Sequence, residues 1–131
     1  MTPHFFVGVD IEAIARFRKL VGSGSEGFLK KVFSARELEH SFSRKSAPQH
    51  LAARFAGKEA VVKALMSSGR SPVPHRQIEI LNDTHGAPYV HLDDDVLRGT
   101  DYTIRISLSH DSGKAVAFVI MFVEPQDEGA D

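Results

Sequence analysis

The stretch 51–66 constrains the fold more than any other part of the chain. Its alanine, valine, leucine, phenylalanine and methionine positions cover nearly the whole circumference of a helix at about 100° per residue. A helix that is apolar on all sides is stable only when it is buried. We therefore predict a long core helix over about Gln49–Met66, enclosed by the remaining elements.

Four charged residues interrupt this apolar helix. Arg54 and Lys58 fall on one face, and Glu59 and Lys63 share another face roughly 100° away. Glu59 and Lys63 could form only a solvated i,i+4 ion pair, which contributes about 0.2–0.5 kcal/mol. A charge on a buried helix is costly unless it has a specific partner. The pattern therefore indicates a cleft lined by this helix.

The other segments predict an α+β fold in a single domain over residues 1–123. A buried strand over Phe5–Val9 ends at Asp10, and a helix follows from Ile11. Ser34 and Glu37 form a capping box at the start of a further helix. The second half predicts a mostly antiparallel sheet, with strands over 78–81, 88–92, 102–109 and 114–123 and a short helix over 93–97. We expect residues 124–131 to be an acidic, frayed tail.

The composition excludes several classes of function. The chain of 131 residues has no cysteine, which rules out disulfides, thiolate metal sites and a cysteine nucleophile. The net charge of −1 gives no general attraction to nucleic acid or to an anionic membrane. The sequence shows neither a signal peptide nor an apolar run of about 18 residues, so we expect a cytoplasmic protein.

Asp10 is the first candidate ligand for a metal. An aspartate between a strand and a helix could only cap that helix, and this alternative stays open. Together with Glu59 and a nearby lysine, however, it would suit a hard divalent ion such as Mg²⁺, which takes oxygen ligands and often bridges to phosphate. His110 follows a strand and is interpreted as a phosphate contact, a metal-shell contact or a turn histidine. The adjacent Ser109-His110-Asp111 does not form a triad, whose members come from separate segments.

Three motifs in this order resemble the holo-acyl-carrier-protein synthase family, the short type of 4′-phosphopantetheinyl transferase. The first is Gly8-Val9-Asp10-Ile11 at the end of a strand. The second and most specific runs from Arg54 to Ala64, with Lys58-Glu59-Ala60 and Lys63 at the family's positions. The third is Ser107-Leu108-Ser109-His110 before an alanine-rich strand. The resemblance covers about residues 5–122 and implies that family's fold.

The resemblance also implies a reaction and its participants. The family moves the 4′-phosphopantetheine arm of coenzyme A to a serine of an apo acyl carrier protein. Asp10 and Glu59 would bind Mg²⁺ at the pyrophosphate, and Glu59, directly or through a metal-bound water, would be the general base. Lys63 would stabilise the leaving 3′,5′-ADP, and His110 would contact phosphates.

Further residues are implied by the same resemblance. Arg54, Lys58, Ser67 and Gly69 would bind the nucleotide. Arg16 and Leu20 on the first helix would dock the carrier protein, in a homotrimer with sites between subunits. Two alternatives stay open, a catalytically silent relative that only binds carrier protein and a different enzyme that uses metal and phosphate. The sequence does not distinguish carriers of fatty-acid biosynthesis from those of polyketide or other synthases.

Overall fold

A computed structural model of the chain describes residues 4–124. Apart from Glu124, the predicted tail lies outside the described residues. Five strands and four α-helices follow one another in the order β1 (His4–Ala13), α1 (Ile14–Gly22), α2 (Glu26–Val32), α3 (Ala35–Phe42), α4 (Ala47–Ser67), β2 (Ile78–Asn82), β3 (Pro88–Leu92), β4 (Tyr102–Asp111) and β5 (Lys114–Val123), with a 3₁₀ turn at His75–Gln77 before β2. None of the helices within residues 4–124 is long and apolar enough to cross a membrane.

The strands form two antiparallel sheets. The larger sheet has the order β1-β5-β4, and the smaller one is the hairpin of β2 and β3. β1 pairs with β5 along its whole length, from His4 opposite Val123 to Ala13 opposite Lys114. Helices on one side and antiparallel strands on the other confirm the predicted α+β class.

Helix α4 lies on the inner face of the three-stranded sheet and is buried along most of its length. It approaches β1 so closely that a Cβ built on Gly8 would lie 1.8 Å from the carbonyl oxygen of Ala60. Because that obstacle is backbone, only glycine fits at position 8 without moving the helix or the strand. The glycine of the first motif therefore sets the distance between the strand that carries Asp10 and the helix that carries Glu59.

Helices α1 and α3 pack against α4, and α2 packs against α1 and the 3₁₀ turn. Phe17 of α1 is fully buried and packs against Phe33 and Phe55 at ring-centroid distances of 6.4 and 5.5 Å. The predicted capping box at the start of α3 is confirmed. The Ser34 side chain accepts from the Glu37 amide, and the Glu37 side chain accepts from the Ser34 amide.

The structure corrects three local predictions. β1 continues to Ala13 instead of ending at Asp10, because β5 supplies pairing partners for every residue of the longer strand. The residue that precedes α1 is Ala13, which makes no side-chain cap, so the interpretation of Asp10 as a helix cap is wrong. Residues 94–97 form turns, and the short helix predicted over 93–97 is absent. Helix α4 matches its prediction, with the start moved to Ala47.

Candidate active site

Asp10, Glu59 and Lys63 come from β1 and α4, which touch at the Gly8 crossing. The Lys63 ammonium donates to the Val9 carbonyl oxygen at 2.8 Å and to Asp10 Oδ1 at 3.4 Å. The Lys63 side chain is 52% exposed, whereas that of Asp10 is only 13% exposed. The lysine can therefore reach a ligand from solvent while it holds the aspartate in place.

The second carboxylate oxygen of Asp10 has an unusual environment. Oδ2 is buried and accepts no hydrogen bond in the part of the chain that the structure describes. A buried carboxylate oxygen without a donor is costly, and a bound cation is one way to satisfy it. This atom marks the centre of the candidate site.

Glu12 adds a third carboxylate that we did not predict. It lies two residues beyond Asp10 on the same face of β1 and pairs with Arg16 at 3.2 Å. Burial raises the pKa of the Glu12 carboxyl to about 7. The neighbouring Asp10 raises the pKa further, because a protonated Glu12 can donate to its carboxylate and because of its charge, and Glu59 adds further negative charge. The carboxylates of Asp10, Glu12 and Glu59 therefore lie close enough to influence one another. The period of two in a longer strand would have revealed Glu12, but we predicted a helix from Ile11.

Glu59 is held by a residue from outside the helix. Its Oε1 lies 2.5 Å from Nε2 of His75, in the 3₁₀ turn that precedes β2. The imidazole stacks on the Phe55 ring with a centroid distance of 5.3 Å and an interplanar angle of 9°. Phe55 and Glu59 are one turn apart on α4. The helix therefore carries both the carboxylate and the phenyl ring on which its histidine partner stacks.

The carboxylates fit a magnesium ion that takes some of its ligands from the protein and others from a substrate phosphate. Within residues 4–124, no group of three histidine, aspartate or glutamate residues is arranged to enclose a metal. Mg²⁺ is usually held by one or two carboxylates, with waters and substrate phosphates as its other ligands. Asp10 and Glu59, with the unsatisfied Oδ2 of Asp10, match that requirement.

Lys58 does not fit the predicted role in nucleotide binding. Its side chain is fully buried and lies 2.6 Å from Glu37 Oε1, in a pair with 0% exposure on both sides. The ammonium also donates to the carbonyl oxygens of His75 and Ile78. All three donors of the lysine are therefore used inside the protein, and none is left to bind a nucleotide. The helical-wheel argument placed Lys58 beside Arg54 but could not show that α3 covers that face.

Arg54 and His110, by contrast, line one cleft. This cleft has a volume of about 690 Å³ and lies between α4, the β2–β3 hairpin and β4, on the other flank of α4 from Glu59. Arg54 is 3% exposed, bonds to Asn82 Oδ1, and has a buried Nε atom without an acceptor among the described residues. Burial and the guanidinium groups of Arg54 and Arg44 lower the pKa of His50. The cleft therefore offers positive charge and one unsatisfied donor to an anion.

The predicted turn after α4 ends the helix. Gly69 has φ +87°, its amide donates to the Met66 carbonyl, and the Arg70 amide donates to the Leu65 carbonyl. These two bonds form a Schellman cap. The Gly69 and Arg70 amides are therefore bonded within the helix end and are not available to a nucleotide phosphate, contrary to the role predicted for Gly69. Ser67 lies about two helical turns beyond Glu59 and does not line the Arg54–His110 cleft. Contact of Ser67 with the nucleotide stays a prediction.

Arg16 and Leu20 line a shallow depression on α1 together with Lys19. The Arg16 guanidinium lies over the rings of Phe28 and Phe55 at 6.0 and 5.2 Å, besides its bond to Glu12. Its side chain is still 50% exposed. The structure thus places both docking candidates on one surface, next to the residues around Asp10.

Comparisons with known proteins agree with this arrangement. A holo-[acyl-carrier-protein] synthase of Thermodesulfovibrio yellowstonii is 43% identical over 115 residues, which covers 88% of this chain and 96% of the relative. The ACPS–CoA complex of Chronobacterium ammoniagenes superposes with a TM-score of 0.78 at 29% identity and covers 94% of this chain and 99% of its own. A Helicobacter pylori holo-[acyl-carrier-protein] synthase in complex with coenzyme A has a TM-score of 0.73 at 30% identity, over 86% of this chain and 96% of its own. The sequence model of the 4′-phosphopantetheinyl transferase superfamily matches residues 6–120, and the chain belongs to that superfamily.

Proposed function

We propose that this protein transfers the 4′-phosphopantetheine arm of coenzyme A to a serine of an apo acyl carrier protein, with 3′,5′-ADP as the other product. The observation that carries the proposal is the pair of carboxylates brought together where β1 and α4 cross. Asp10 bonds to Lys63 through Oδ1 and keeps a buried, unsatisfied Oδ2, and Glu59 lies close enough for its charge to act on the neighbouring Glu12. The relatives with this architecture are holo-[acyl-carrier-protein] synthases, some of them solved with coenzyme A.

Asp10 and Glu59 would hold the magnesium ion. When bound, the ion would neutralise negative charge that develops on the phosphate oxygens during transfer. Glu59 keeps one carboxylate oxygen on His75, so its other oxygen remains to face the ion or the attacking serine hydroxyl. A carboxylate within hydrogen-bond reach of that hydroxyl can accept its proton, the role of a general base.

Lys63 is suited to the leaving group. Two of its three donors already bond to Val9 and Asp10, which fixes the ammonium at the mouth of the site. The third donor and the positive charge can stabilise the phosphate oxygen of the departing 3′,5′-ADP. The exposed lysine side chain thus acts on the departing nucleotide, while Asp10 and Glu59 act at the phosphate under attack.

We propose that the Arg54–His110 cleft binds anionic parts of the coenzyme. Arg54 of the cleft and Lys63, which bonds to Asp10, lie on opposite faces of α4, so one chain does not offer both sites to the same ligand. A site between two subunits would join the carboxylates of one copy to the basic cleft of its neighbour.

The outer face of the three-stranded sheet supports assembly from several copies. Its apolar side chains are between 45% and 59% exposed and form a continuous surface: Phe5, Val7, Val9, Ile11 and Phe118. Apolar patches of this kind mark interaction surfaces. We propose that the occupant is the same face of other copies, in a homotrimer. Light scattering should give the mass of three chains, and Val7→Lys should lower it. A monomeric wild-type protein would contradict the assembly.

We propose that the carrier protein docks at Arg16 and Leu20, where an arginine lies beside an apolar side chain. Arg16→Glu should then raise the KM for the carrier protein with a smaller effect on kcat. If the KM for the carrier protein is unchanged, the docking site lies elsewhere.

The decisive experiment incubates the protein with coenzyme A, Mg²⁺ and an apo carrier protein and measures the mass of the carrier. We expect a gain of one phosphopantetheine group. Asp10→Asn and Glu59→Gln should abolish the gain, because each removes a charged ligand of the metal. No gain on any of several carriers would refute the proposal, and carrier binding without transfer would favour a binding module instead.

A further inference from the structure

We propose that His75 is a positioning residue for the reaction, which orients the Glu59 carboxylate for metal binding. This inference rests on the proposed function, because it assigns a role within the same site. It starts from a bond that no part of the motif pattern predicts, between His75 Nε2 and Glu59 Oε1 at 2.5 Å.

Two contacts fix the imidazole of His75. Its ring is nearly parallel to that of Phe55, with 9° between the planes, and this stacking limits rotation of the histidine side chain. The bond to Glu59 then comes from a ring whose plane is already set. Both side chains are partly exposed, 28% for His75 and 31% for Glu59, so the pair borders the open site.

The backbone that carries His75 is anchored in the core. The buried Lys58 ammonium donates to the His75 carbonyl at 2.9 Å and to the Ile78 carbonyl, which spans the 3₁₀ turn. Lys58 is held in turn by Glu37, whose Oε2 accepts from the Ile80 amide at 2.9 Å. The buried ion pair therefore fixes the segment that presents the imidazole.

Adjacent residues of α4 thus act together. Lys58 holds the backbone of the 3₁₀ turn through the His75 carbonyl. The side chain of the same histidine then bonds to Glu59, the next residue of α4. A free glutamate side chain loses rotamer entropy when it is ordered. Because Glu59 Oε1 is bonded to His75, the glutamate side chain is already ordered before a metal binds, and its Oε2 is free to serve as a ligand. Partners behind a ligating carboxylate typically change metal affinity by about 10–100-fold.

The test measures Mn²⁺ affinity by electron paramagnetic resonance of the free ion, with coenzyme A present and no carrier protein. A titration of coenzyme A without enzyme corrects for ion bound to the nucleotide. His75→Phe keeps an aromatic ring to stack on Phe55 and removes the hydrogen bond. We expect it to bind Mn²⁺ about tenfold or more weakly, with a urea midpoint close to that of the wild type. Affinity within about twofold of the wild type would overturn the inference.

A second pair of variants keeps the test decisive if His75→Phe does not fold. His75→Gln can still donate a hydrogen bond, whereas His75→Met has a flexible side chain of similar size that cannot. The glutamine variant should recover most of the lost Mn²⁺ affinity, and equal affinities for the two would refute the inference. Asp10→Asn separates this inference from the proposed function. If it weakens Mn²⁺ binding and His75→Phe does not, only the role of His75 fails. If neither Asp10→Asn nor Glu59→Gln weakens Mn²⁺ binding, the metal assignment itself fails.

Discussion

Replacement of Lys58 by methionine tests the interpretation of a fully buried charge. The substitution preserves an unbranched side chain of similar length and removes the ammonium. It leaves Glu37 buried with only the Ser34 and Ile80 amides as donors, and it removes the bonds to two backbone carbonyls. Nothing in the substitution touches the exposed surface, since Lys58 and Glu37 are both 0% exposed.

The magnitude follows from the buried pair. Removal of one member of such a pair typically costs about 3–5 kcal/mol, because the remaining charge loses its partner in a medium of low polarity. The lost carbonyl bonds cost about 1–3 kcal/mol where the oxygen stays buried, which applies to Ile78 more than to the half-buried His75. These contributions overlap, so we expect a loss of about 4 kcal/mol in the free energy of unfolding.

The assay is urea unfolding followed by circular dichroism, at one protein concentration because assembly contributes to stability. With a slope of about 2 kcal/mol per molar urea, the midpoint should fall by about 2 M. Glu37→Leu combined with Lys58→Met should be more stable than Lys58→Met alone, since no charge is left unpaired. A midpoint shift under about 0.3 M would refute this reasoning. If Lys58→Met bound 3′,5′-ADP more weakly at unchanged stability, Lys58 would instead be a nucleotide-binding residue.

Three further predictions concern the rest of the site. Gly8→Ala should cost about 1–3 kcal/mol or more, measured by urea unfolding, because the new methyl group would overlap the Ala60 carbonyl; a midpoint like that of the wild type would contradict the close crossing of β1 and α4. Lys63→Gln should lower kcat for carrier modification by about 100-fold or more with little change in thermal stability, since half of the side chain is exposed; unchanged kcat would exclude it from the reaction. His40 and His50, whose pKa values are lowered by burial and by Arg54 and Arg44, should take up protons when an anion binds nearby. The affinity for 3′,5′-ADP, measured by calorimetry, should therefore rise as the pH falls from 8 to about 6, and in the free protein the same histidines should reduce stability as the pH falls below their unfolded value of 6.5. Asn substitution of both histidines should flatten the binding profile, and an unchanged profile would refute their role.

The sequence by itself determined the parts of this protein that depend on local pattern. The apolar circumference of residues 51–66 required a buried helix, and the capping box at Ser34 set the start of α3, because both rest on spacing along one helix. The motifs were also enough to predict Asp10, Glu59 and Lys63 as site residues. The Schellman cap at Gly69 also follows from a local glycine, although we had assigned that glycine to the nucleotide.

Tertiary structure decided the features that depend on pairing between distant segments. β1 runs on to Ala13 because β5 is there to bond with it, and this extension places Glu12 beside Asp10. Lys58 and Arg54 lie on the same face of a helical wheel. In the folded chain, however, Glu37 of α3 pairs with Lys58, whereas Arg54 lines a cleft. The bond from His75 to Glu59 spans 16 residues of chain and depends on how the 3₁₀ turn packs against α4. A one-dimensional pattern shows which face a charge occupies, but only the packed neighbours determine whether that charge is a structural anchor or part of a binding site.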